Sequence, residues 1–252
     1  MNRKKVIITS ACRTAIASFG KSLKNIPAHI LGSSVISESI NRSKILHEEI
    51  DEVIMGQVLT GGSGQNPARQ AAITSGIPNE KPAYVVNQVC GSGIRSVASG
   101  FQSIISGDSK IIIAGGQESM SLAPHMIHLR NGKKMGDDKL ADTMIKDGLW
   151  DAFNNYHMGT TAENVAEKFQ VTREEQDKFA FSSQKKTLKA QKENKFKDEI
   201  INFKIKSKNT EINFTKDEYP RDEISLESLL KLKPVFKHNG TVTAGNASGL
   251  ND

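Results

Sequence analysis

The sequence predicts an α/β fold in which a parallel or mixed sheet is covered by helices and is joined to a mostly helical lobe. Over the first 118 residues, short β-branched segments alternate with segments of helical periodicity. Residues 110–116 contain three consecutive isoleucines, which is typical of a strand covered on both faces. From residue 119 onward, glycine and charged residues interrupt the pattern. We predict an α/β domain over 1–118 and a separate loop lobe over 119–242 that is inserted into that domain or appended to it; if it is inserted, residues 243–252 form a return segment to the domain.

The first domain is predicted to have a β-α-β-α-β-α-β order. The four predicted strands cover residues 6–9, 51–58, 83–89 and 110–116. The three predicted helices cover residues 28–41, residues 68–75 and a segment that begins shortly after Cys90 and ends at Gly107. Asn66 and Pro67 form a good cap for the second helix, and Gly76 ends it. Right-handed crossovers bring the carboxyl ends of the strands, and Cys90 with them, to one edge of the sheet, where ligands of such sheets bind.

The loop lobe is predicted to contain two helices that begin with capping boxes. Thr160 with Glu163 forms one such pattern, and Thr172 with Glu175 forms the other. A lysine-rich polar stretch follows over 185–221, with a β-like segment at 200–206. We expect the lysines from Lys185 to Lys197 to lie on an exposed helix face.

Composition narrows the classes of function. The 252 residues carry a net charge of +6, but lysines and acidic residues are interleaved and the chain has one Trp and three Tyr. A basic face with interleaved aromatic residues, which single-stranded nucleic-acid binders use, is therefore not predicted. The mild positive charge suits an anionic small molecule. We expect no nucleic-acid partner and no membrane partner, because the apolar run at 6–8 is too short for a signal or a membrane span.

The chain has two cysteines, Cys12 and Cys90, which are too few for a disulfide framework and predict a reducing, cytoplasmic location. Cys12 is interpreted as structural, because no glycine-rich turn or helix follows it. His125 and His128 lie three residues apart without a cysteine or acidic cluster, so we predict no metal site.

Cys90 lies in the segment NQVCGSGIRSVASG, between a predicted strand and a predicted helix. The start of a helix favours negative charge, which would stabilise a nucleophilic thiolate, and Gly91 and Gly93 leave backbone N–H groups open to a substrate carbonyl. Two other interpretations stay open at this point. Cys90 could be a small buried residue in a crowded turn, or the segment could be an imperfect phosphate-binding loop with Ser96 in place of the third glycine.

The same segment resembles the acyl-enzyme cysteine motif of the thiolase family. Further segments resemble that family in its order and spacing: ACRTAIASFGKSL, GQVLTGGSGQNPARQAAITSGIP, IIAGGQESMSLAPH, NYHMGTTAENVA and GTVTAGNASGLND. The pattern is most similar to the bacterial biosynthetic acetyl-CoA acetyltransferases of the family. The resemblance removes the phosphate-loop interpretation. It implies a thiolase-like N-terminal domain that transfers an acyl group from acetyl-CoA through an S-acyl Cys90.

The resemblance also implies which residues contact coenzyme A. His157 and Met158 would line the pantetheine and acyl pocket, and Leu149 would lie near the adenine. From the residues alone, His157 is an ordinary surface or core histidine. Arg221 would lie near the phosphates, and Ser228, Ala244 and Ser248 would make further contacts. Coenzyme A thioesters would be the substrates, without a bound cofactor or a metal.

The resemblance implies an assembly as well. Residues 123–136 resemble the family's tetramerisation loop, so we expect a dimer or a tetramer. Three basic residues of that loop would suit the mouth of the coenzyme A site: Arg130, Lys133 and Lys134.

The resemblance covers the first two-thirds of a usual thiolase. The family's activating histidine in Gly-His-Pro, its water-positioning asparagine and its second cysteine in Cys-Gly-Gly-Gly have no counterpart among the 252 residues. It implies that the C-terminal half of the fold is absent, that the sheet lacks one strand and exposes an apolar edge, and that a pseudo-symmetric partner domain is missing.

We therefore expect the chain by itself to fail in condensing two acetyl-CoA to acetoacetyl-CoA and in the reverse thiolysis. The alternative function is a non-catalytic remnant, or one half of a split thiolase, that keeps coenzyme A binding or an interaction surface. A ketoacyl synthase on the same fold is disfavoured by the segments YHMG and GNASGLND.

Overall fold

The structure is a computed structural model that describes residues 5–207 and 210–252. In its first part, three strands alternate with three helices. These elements are α1 (Ala28–Ser43), β1 (Glu52–Gly56), α2 (Pro67–Thr74), β2 (Ala83–Val86), α3 (Ser92–Ser106) and β3 (Ile112–Gly116). The strands form a parallel sheet in the order β2-β1-β3, with Met55 beside Val85 on one side and Gly115 on the other. The predicted α/β fold with a parallel sheet is confirmed.

A hydrophobic core lies between the sheet and the helices α1 and α2. Val53 and Met55 point to this side of β1, and both side chains are buried. They pack against buried side chains from α1, α2 and the loops that join them to the strands: Ile36, Ile40, Ile50, Ala68, Ala71, Ala72 and Ile77. Burying one large aliphatic side chain contributes about 1.5–3 kcal/mol, so this cluster supplies much of the domain's stability.

The predicted strand at residues 6–9 is wrong. The structure gives this segment no strand, and Ile7 and Ile8 are 75% and 79% exposed. A strand needs a neighbour for its backbone N–H and C=O groups, and within the described residues the sheet consists of β1, β2 and β3. Residues 6–9 therefore have the composition of a strand, but among the described residues no neighbouring strand pairs with them.

Helix α3 covers the other face of the sheet, and it does so with small residues. Ser92, Ser96 and Gly100 are buried on the sheet side, and the Ser96 hydroxyl lies 2.7 Å from the carbonyls of Gly93 and Gly115, which share its one proton. The apolar positions that indicate a helix in the sequence lie on the outer side and are exposed: Ile94, Val97, Phe101 and Ile105. The sequence therefore predicts this helix correctly, but its apolar stripe does not face the sheet.

Both faces of β3 are covered, as predicted, although the coverage is incomplete. Ile111, Ile112 and Ile113 are all only partly buried. One side of β3 packs against the core beneath α1 and α2, and the other side meets α3, where Gly100 lies close to Ile112. Of the three isoleucines, Ile112 is the one on the side of α3, where the small residues of that helix leave its side chain partly exposed.

The exposed stripe on α3 allows a first prediction. Replacing Phe101, which is 53% exposed, with serine should lower the binding of a hydrophobic dye, because clustered apolar surface binds such dyes and Phe101 lies at its centre. We expect the free energy of unfolding to change by about 1 kcal/mol or less, since the ring is already half in water. Phe153→Ser is the control, because Phe153 is 97% exposed and lies outside the stripe. Equal dye binding by the two variants would contradict the assignment.

In the second part of the chain, the described residues form three further α-helices and three short strand pairs. The helices are α4 (Met158–Phe169), α5 (Arg173–Lys192) and α6 (Leu226–Leu230). The antiparallel pairs are β4 (His125–Met126) with β5 (Ala141–Asp142), β6 (Trp150–Asp151) with β7 (Tyr156–His157), and β8 (Phe203–Ser207) with β9 (Thr210–Phe214). A π-helical segment, Met144–Leu149, precedes β6.

One of the two predicted capping boxes is confirmed. Thr172 and Glu175 bond reciprocally at the start of α5, as predicted. The box at Thr160 and Glu163 is wrong, because α4 begins earlier and is capped by the ring of His157. Glu163 instead bonds to a distant segment. Sequence pattern alone cannot distinguish a carboxylate that closes its own helix turn from one that a tertiary contact uses.

The two parts of the chain are tied together through Arg13. Its guanidinium bonds to Asp217 and Glu199, both at 2.7 Å, and its backbone N–H donates to the carbonyl of Glu199. The end of the return segment is bound in the same region, since Ala17 and Asp252 exchange backbone hydrogen bonds of 2.9 and 3.0 Å. The proposed boundaries at 118 and 242 stay predictions. In the part of the chain that the structure describes, no helix combines the length and the apolar character that a membrane span needs.

Candidate active site

Cys90 lies in a tight five-residue connection between β2 and α3. Within this connection, Gly91 donates its backbone N–H to the carbonyl of Gln88 at 3.1 Å, and Gln88 donates its own to the hydroxyl of Ser92 at 2.8 Å. The side chain of Cys90 is exposed, so the interpretation as a small buried residue is wrong. Among residues 5–207 and 210–252, the backbone N–H of Cys90 has no hydrogen-bond partner. The exposed Cys90 is therefore accessible to a substrate.

Glycines at the ends of β1 and β3 allow the start of α3 to lie directly on the sheet. A Cβ atom on Gly56 would come within 2.6 Å of the backbone nitrogen of Gly93 and would also collide with the carbonyl carbon of Ser92. A Cβ atom on Gly116 would lie 3.4 Å from the Cα of Gly93. The positive end of the α3 dipole is thus held at the carboxyl edge of the sheet, beside Cys90. Sequence analysis missed Gly56 and Gly116, although glycine at the end of a strand signals a close backbone approach.

A buried polar network holds the loop after β1 at the same edge. The Gln117 amide donates to the Gln57 side chain at 2.9 Å, and Gln57 donates to the carbonyl of Leu59 at 3.1 Å. The carboxylate of Glu118 accepts a 2.9 Å bond from the N–H of Val58 and a longer one from that of Leu59. Burial raises the pKa of Glu118, and these backbone bonds offset part of that effect. Sequence reasoning missed this network, because its partners are about sixty residues apart.

Three of the seven predicted coenzyme A contacts lie on one cavity. Arg221, Ser228 and Ala244 line a pocket of about 410 Å³. The backbone N–H of Arg221 donates to Gln184 at 3.0 Å, which fixes the arginine against α5. The Ser228 hydroxyl is engaged in the capping box of α6 with Ser225. The structure therefore brings these three residues together.

The charges around this cavity are mixed. Arg221 shares the lining with the carboxylates of Asp222 and Glu223. A second cavity of about 590 Å³ shares Asp222 and is lined by three lysines of α5: Lys185, Lys189 and Lys192. The lysines of α5 therefore lie next to the 410 Å³ cavity, together with the carboxylates of Asp222 and Glu193.

The other four predicted contacts do not line the 410 Å³ cavity. His157 stacks on Phe236 with ring centroids 4.9 Å apart, and its Nδ1 accepts the N–H of Gly159 at 3.0 Å. Met158 is the first residue of α4 and is 39% exposed. Leu149 ends the π-helical segment and is half-buried, and Ser248 is exposed in the return segment. Their roles stay predictions.

Glu163 anchors the segment that leads to Ala244. Its carboxylate, 4% exposed, accepts the backbone N–H groups of Thr241 and Val242 at 2.8 and 2.7 Å and the Thr241 hydroxyl at 2.9 Å. Burial raises the pKa of Glu163, but the bonds from Val242 and Thr241 outweigh it, and the net pKa lies below the ordinary value of 4.5.

This lowered pKa has a consequence for stability. The ionised Glu163 contributes stability above its unfolded value of 4.5, and that contribution is lost as the pH falls through the lower folded value. Glu163→Gln should lower the free energy of unfolding at neutral pH by about 1–3 kcal/mol, and the difference from wild type should shrink in acid. Urea titrations over a range of pH would measure this. Glu48→Gln, at an exposed carboxylate, is the control; a loss of the same size there would refute the assignment.

The sequence and the structure were compared with known proteins. The family profile described as "Thiolase, N-terminal domain" matches residues 6–252. The chain is 56% identical over 252 residues to the acetyl-CoA acetyltransferase of Rhizobium meliloti, which covers 100% of this chain and 64% of that protein. It is 52% identical over 249 residues to the cytosolic acetyl-CoA acetyltransferase of Rattus norvegicus, covering 98% of this chain and 63% of that one.

The chain is also similar to a solved structure. The crystal structure of the Bacillus anthracis acetyl-CoA acetyltransferase matches 98% of this chain and 62% of its own, with a TM-score of 0.95 and 39% sequence identity. The chain thus spans less than two-thirds of the length of these proteins.

Proposed function

The chain belongs to the thiolase family, and on this premise we propose that it transfers the acyl group of a coenzyme A thioester to Cys90. The observation that carries the proposal is the position of Cys90, which is exposed at the start of α3 while the glycines of β1 and β3 hold that helix end against the sheet. The acetyl-CoA acetyltransferases that resemble this chain make acetyl-CoA the expected thioester.

The proposed step exchanges one thioester for another. The Cys90 thiolate attacks the carbonyl carbon of the thioester, and the carbonyl oxygen takes up negative charge. The free N–H of Cys90 and the start of α3 are suited to stabilise that charge. The carbon–sulfur bond to coenzyme A then breaks, and the coenzyme A thiolate leaves and takes up a proton. The products are S-acyl Cys90 and free coenzyme A.

The resemblance to thiolases implies that both halves of a condensation need groups that these 252 residues do not contain, since the Gly-His-Pro histidine would activate Cys90 and the second cysteine would act as the base on the second acetyl-CoA. No histidine of the sequence stands in a Gly-His-Pro segment, and the one other cysteine is Cys12. The Cys12 thiol donates a hydrogen bond of 3.4 Å to the Val35 carbonyl and forms a hydrogen bond of 3.1 Å with the Ser39 hydroxyl. These contacts suit a structural role. Loss of a general base costs about 10²–10⁴-fold in rate. We therefore propose that this polypeptide alone acylates Cys90, more slowly than it would with the activating histidine, but does not turn over.

The test measures coenzyme A released from acetyl-CoA over time. We expect a single burst of at most one coenzyme A per chain and no thiolysis of acetoacetyl-CoA. Absence of the burst would refute the acylation step. Steady thiolysis that Cys90→Ala abolishes would refute the claim that the polypeptide does not turn over.

The exposed stripe on α3 favours a second candidate, in which the chain binds coenzyme A without being acylated and pairs with another polypeptide through that stripe. Coenzyme A binding without a burst would favour this alternative. The homo-oligomer expected from residues 123–136 and the cytoplasmic location remain part of the proposal, and light scattering of the purified chain tests the former.

Arg221 provides a test of the coenzyme A site. Arg221→Gln should weaken coenzyme A binding about tenfold, because a guanidinium makes strong charge-assisted bonds to phosphate oxygens. Calorimetric titration would measure the dissociation constant. Lys24→Gln removes the same charge outside the cavity lining and should leave the affinity unchanged. If both variants weaken binding equally, net charge rather than Arg221 attracts the ligand.

A further inference from the structure

We infer that Asn87 is a positioning residue for the nucleophile: its side chain holds Val89 in a left-handed conformation, and this conformation directs Cys90 toward the substrate. The inference rests on the proposed function in one respect, namely that Cys90 is the reacting group. Asn87 itself touches neither the sulfur nor a substrate in this account.

The inference starts from the backbone of Val89. Its φ angle is +49°, in the left-handed region that side chains branched at Cβ rarely adopt. Among the described residues, the other non-glycine residues with positive φ are Lys44, Asn66, Asn155, Gln170, Asn194 and Asn239. Four of these six are asparagines, which tolerate this region, and none is branched at Cβ. Val89 therefore needs support from its surroundings, and strained residues of this kind occur at functional sites.

Two side chains supply that support from opposite directions. The Oδ1 atom of Asn87 accepts the backbone N–H of Val89 at 2.9 Å, which forms an Asx turn. The hydroxyl of Ser92 donates to the carbonyl of Val89 at 2.6 Å, and the backbone N–H of Ser92 donates to the same oxygen at 3.0 Å. Both peptide groups of the left-handed residue are thus held.

Asn87 also connects the turn to the rigid edge of the sheet. Its Nδ2 lies 3.5 Å from the carbonyl of Val58, a long hydrogen bond. Val58 belongs to the loop that Glu118 holds through its N–H. Rotation about the bonds of Val89 would move the sulfur and the N–H of Cys90 together. Asn87 therefore fixes the direction of both groups relative to β1 and β3.

The experiment measures how fast iodoacetamide alkylates Cys90, resolved by peptide mass so that Cys12 serves as an internal reference. Asn87→Ala should slow alkylation of Cys90 about 3–10-fold, the equivalent of one hydrogen bond. Asn87→Ser should restore most of the rate, because a serine hydroxyl can accept the same N–H. The control is Asn66→Ala, which removes a similar asparagine turn at the start of α2. It should lower stability without slowing alkylation.

A second pair of variants tests the mechanism directly. Glycine adopts positive φ without cost, so in a Val89→Gly background the change Asn87→Ala should slow alkylation less than it does beside valine. An equal loss in both backgrounds, an unchanged rate in Asn87→Ala, or an equal loss in Asn66→Ala would overturn the inference. If Asn87→Ala does not fold, two comparisons still test the inference. One compares Asn87→Ser with wild type, and the other compares Val89→Gly with and without Asn87→Ala.

The alkylation needs no coenzyme A, so the two proposals can fail separately. If acetyl-CoA does not acylate the wild-type chain while alkylation still depends on Asn87, the proposed function fails and the inference about Asn87 stands. If Cys90 is acylated and its alkylation rate does not depend on Asn87, the inference alone fails.

Discussion

Replacing Cys90 with alanine is expected to abolish the burst of coenzyme A released from acetyl-CoA. The loss should exceed ~10³-fold, since the covalent step has no other acceptor in the site. Release of coenzyme A, followed by chromatography on the time scale of the wild-type burst, measures it. The residual rate should equal that of acetyl-CoA in buffer.

Cys12→Ala is the matched control for this variant, because Cys12 is the only other cysteine of the sequence and its thiol forms hydrogen bonds with residues of α1. We expect its burst to equal that of wild type. A burst that survives in Cys90→Ala would mean that another group accepts the acyl chain. A burst that Cys12→Ala removes would place the chemistry at Cys12, beside α1.

Replacing Gly56 with alanine is expected to have the largest effect on stability. The added Cβ would meet backbone atoms of Ser92 and Gly93 rather than the end of a flexible side chain, so helix α3 must shift off the sheet. We expect the free energy of unfolding to fall by more than ~3 kcal/mol, as overpacking against backbone is among the costliest changes. Urea denaturation measures this loss, and alkylation of Cys90 should slow in the same variant.

Gly93→Ala is the control for overpacking at the same junction. A Cβ atom on Gly93 meets nothing within 4 Å, and the residue lies in the first turn of α3. Its stability should be unchanged or slightly higher, because alanine favours a helix over glycine. If Gly56→Ala is as stable as Gly93→Ala, the close contact between β1 and α3 does not position Cys90.

Local pattern predicts much of this fold. The alternation of strands and helices, the asparagine cap of α2 and the glycine end of α3 all depend on neighbours a few residues away, and the structure has each of them. The strand at 6–9 failed for the opposite reason, because a strand depends on a partner that local composition does not reveal. The outward apolar face of α3 is a related case, since periodicity indicates a helix without indicating what its apolar side contacts.

Likewise, one part of the candidate site could be predicted from local sequence and another part could not. Cys90 could be found from its strand, its two glycines and the helix that follows, because these lie in one short segment. The grouping of Arg221, Ser228 and Ala244 came from family resemblance, as their charges and spacing alone do not indicate a common pocket. The bonds from Glu118 to the loop after β1 join segments about sixty residues apart and could not be anticipated.

The central claim is that Cys90 accepts the acyl group. The most direct test is the mass of the intact chain after mixing with acetyl-CoA, followed by a peptide map. We expect a gain of one acetyl group per chain, located on the peptide that contains Cys90 and absent from the peptide that contains Cys12. An unchanged mass, or an acetyl group located on Cys12 or on a lysine, would contradict it.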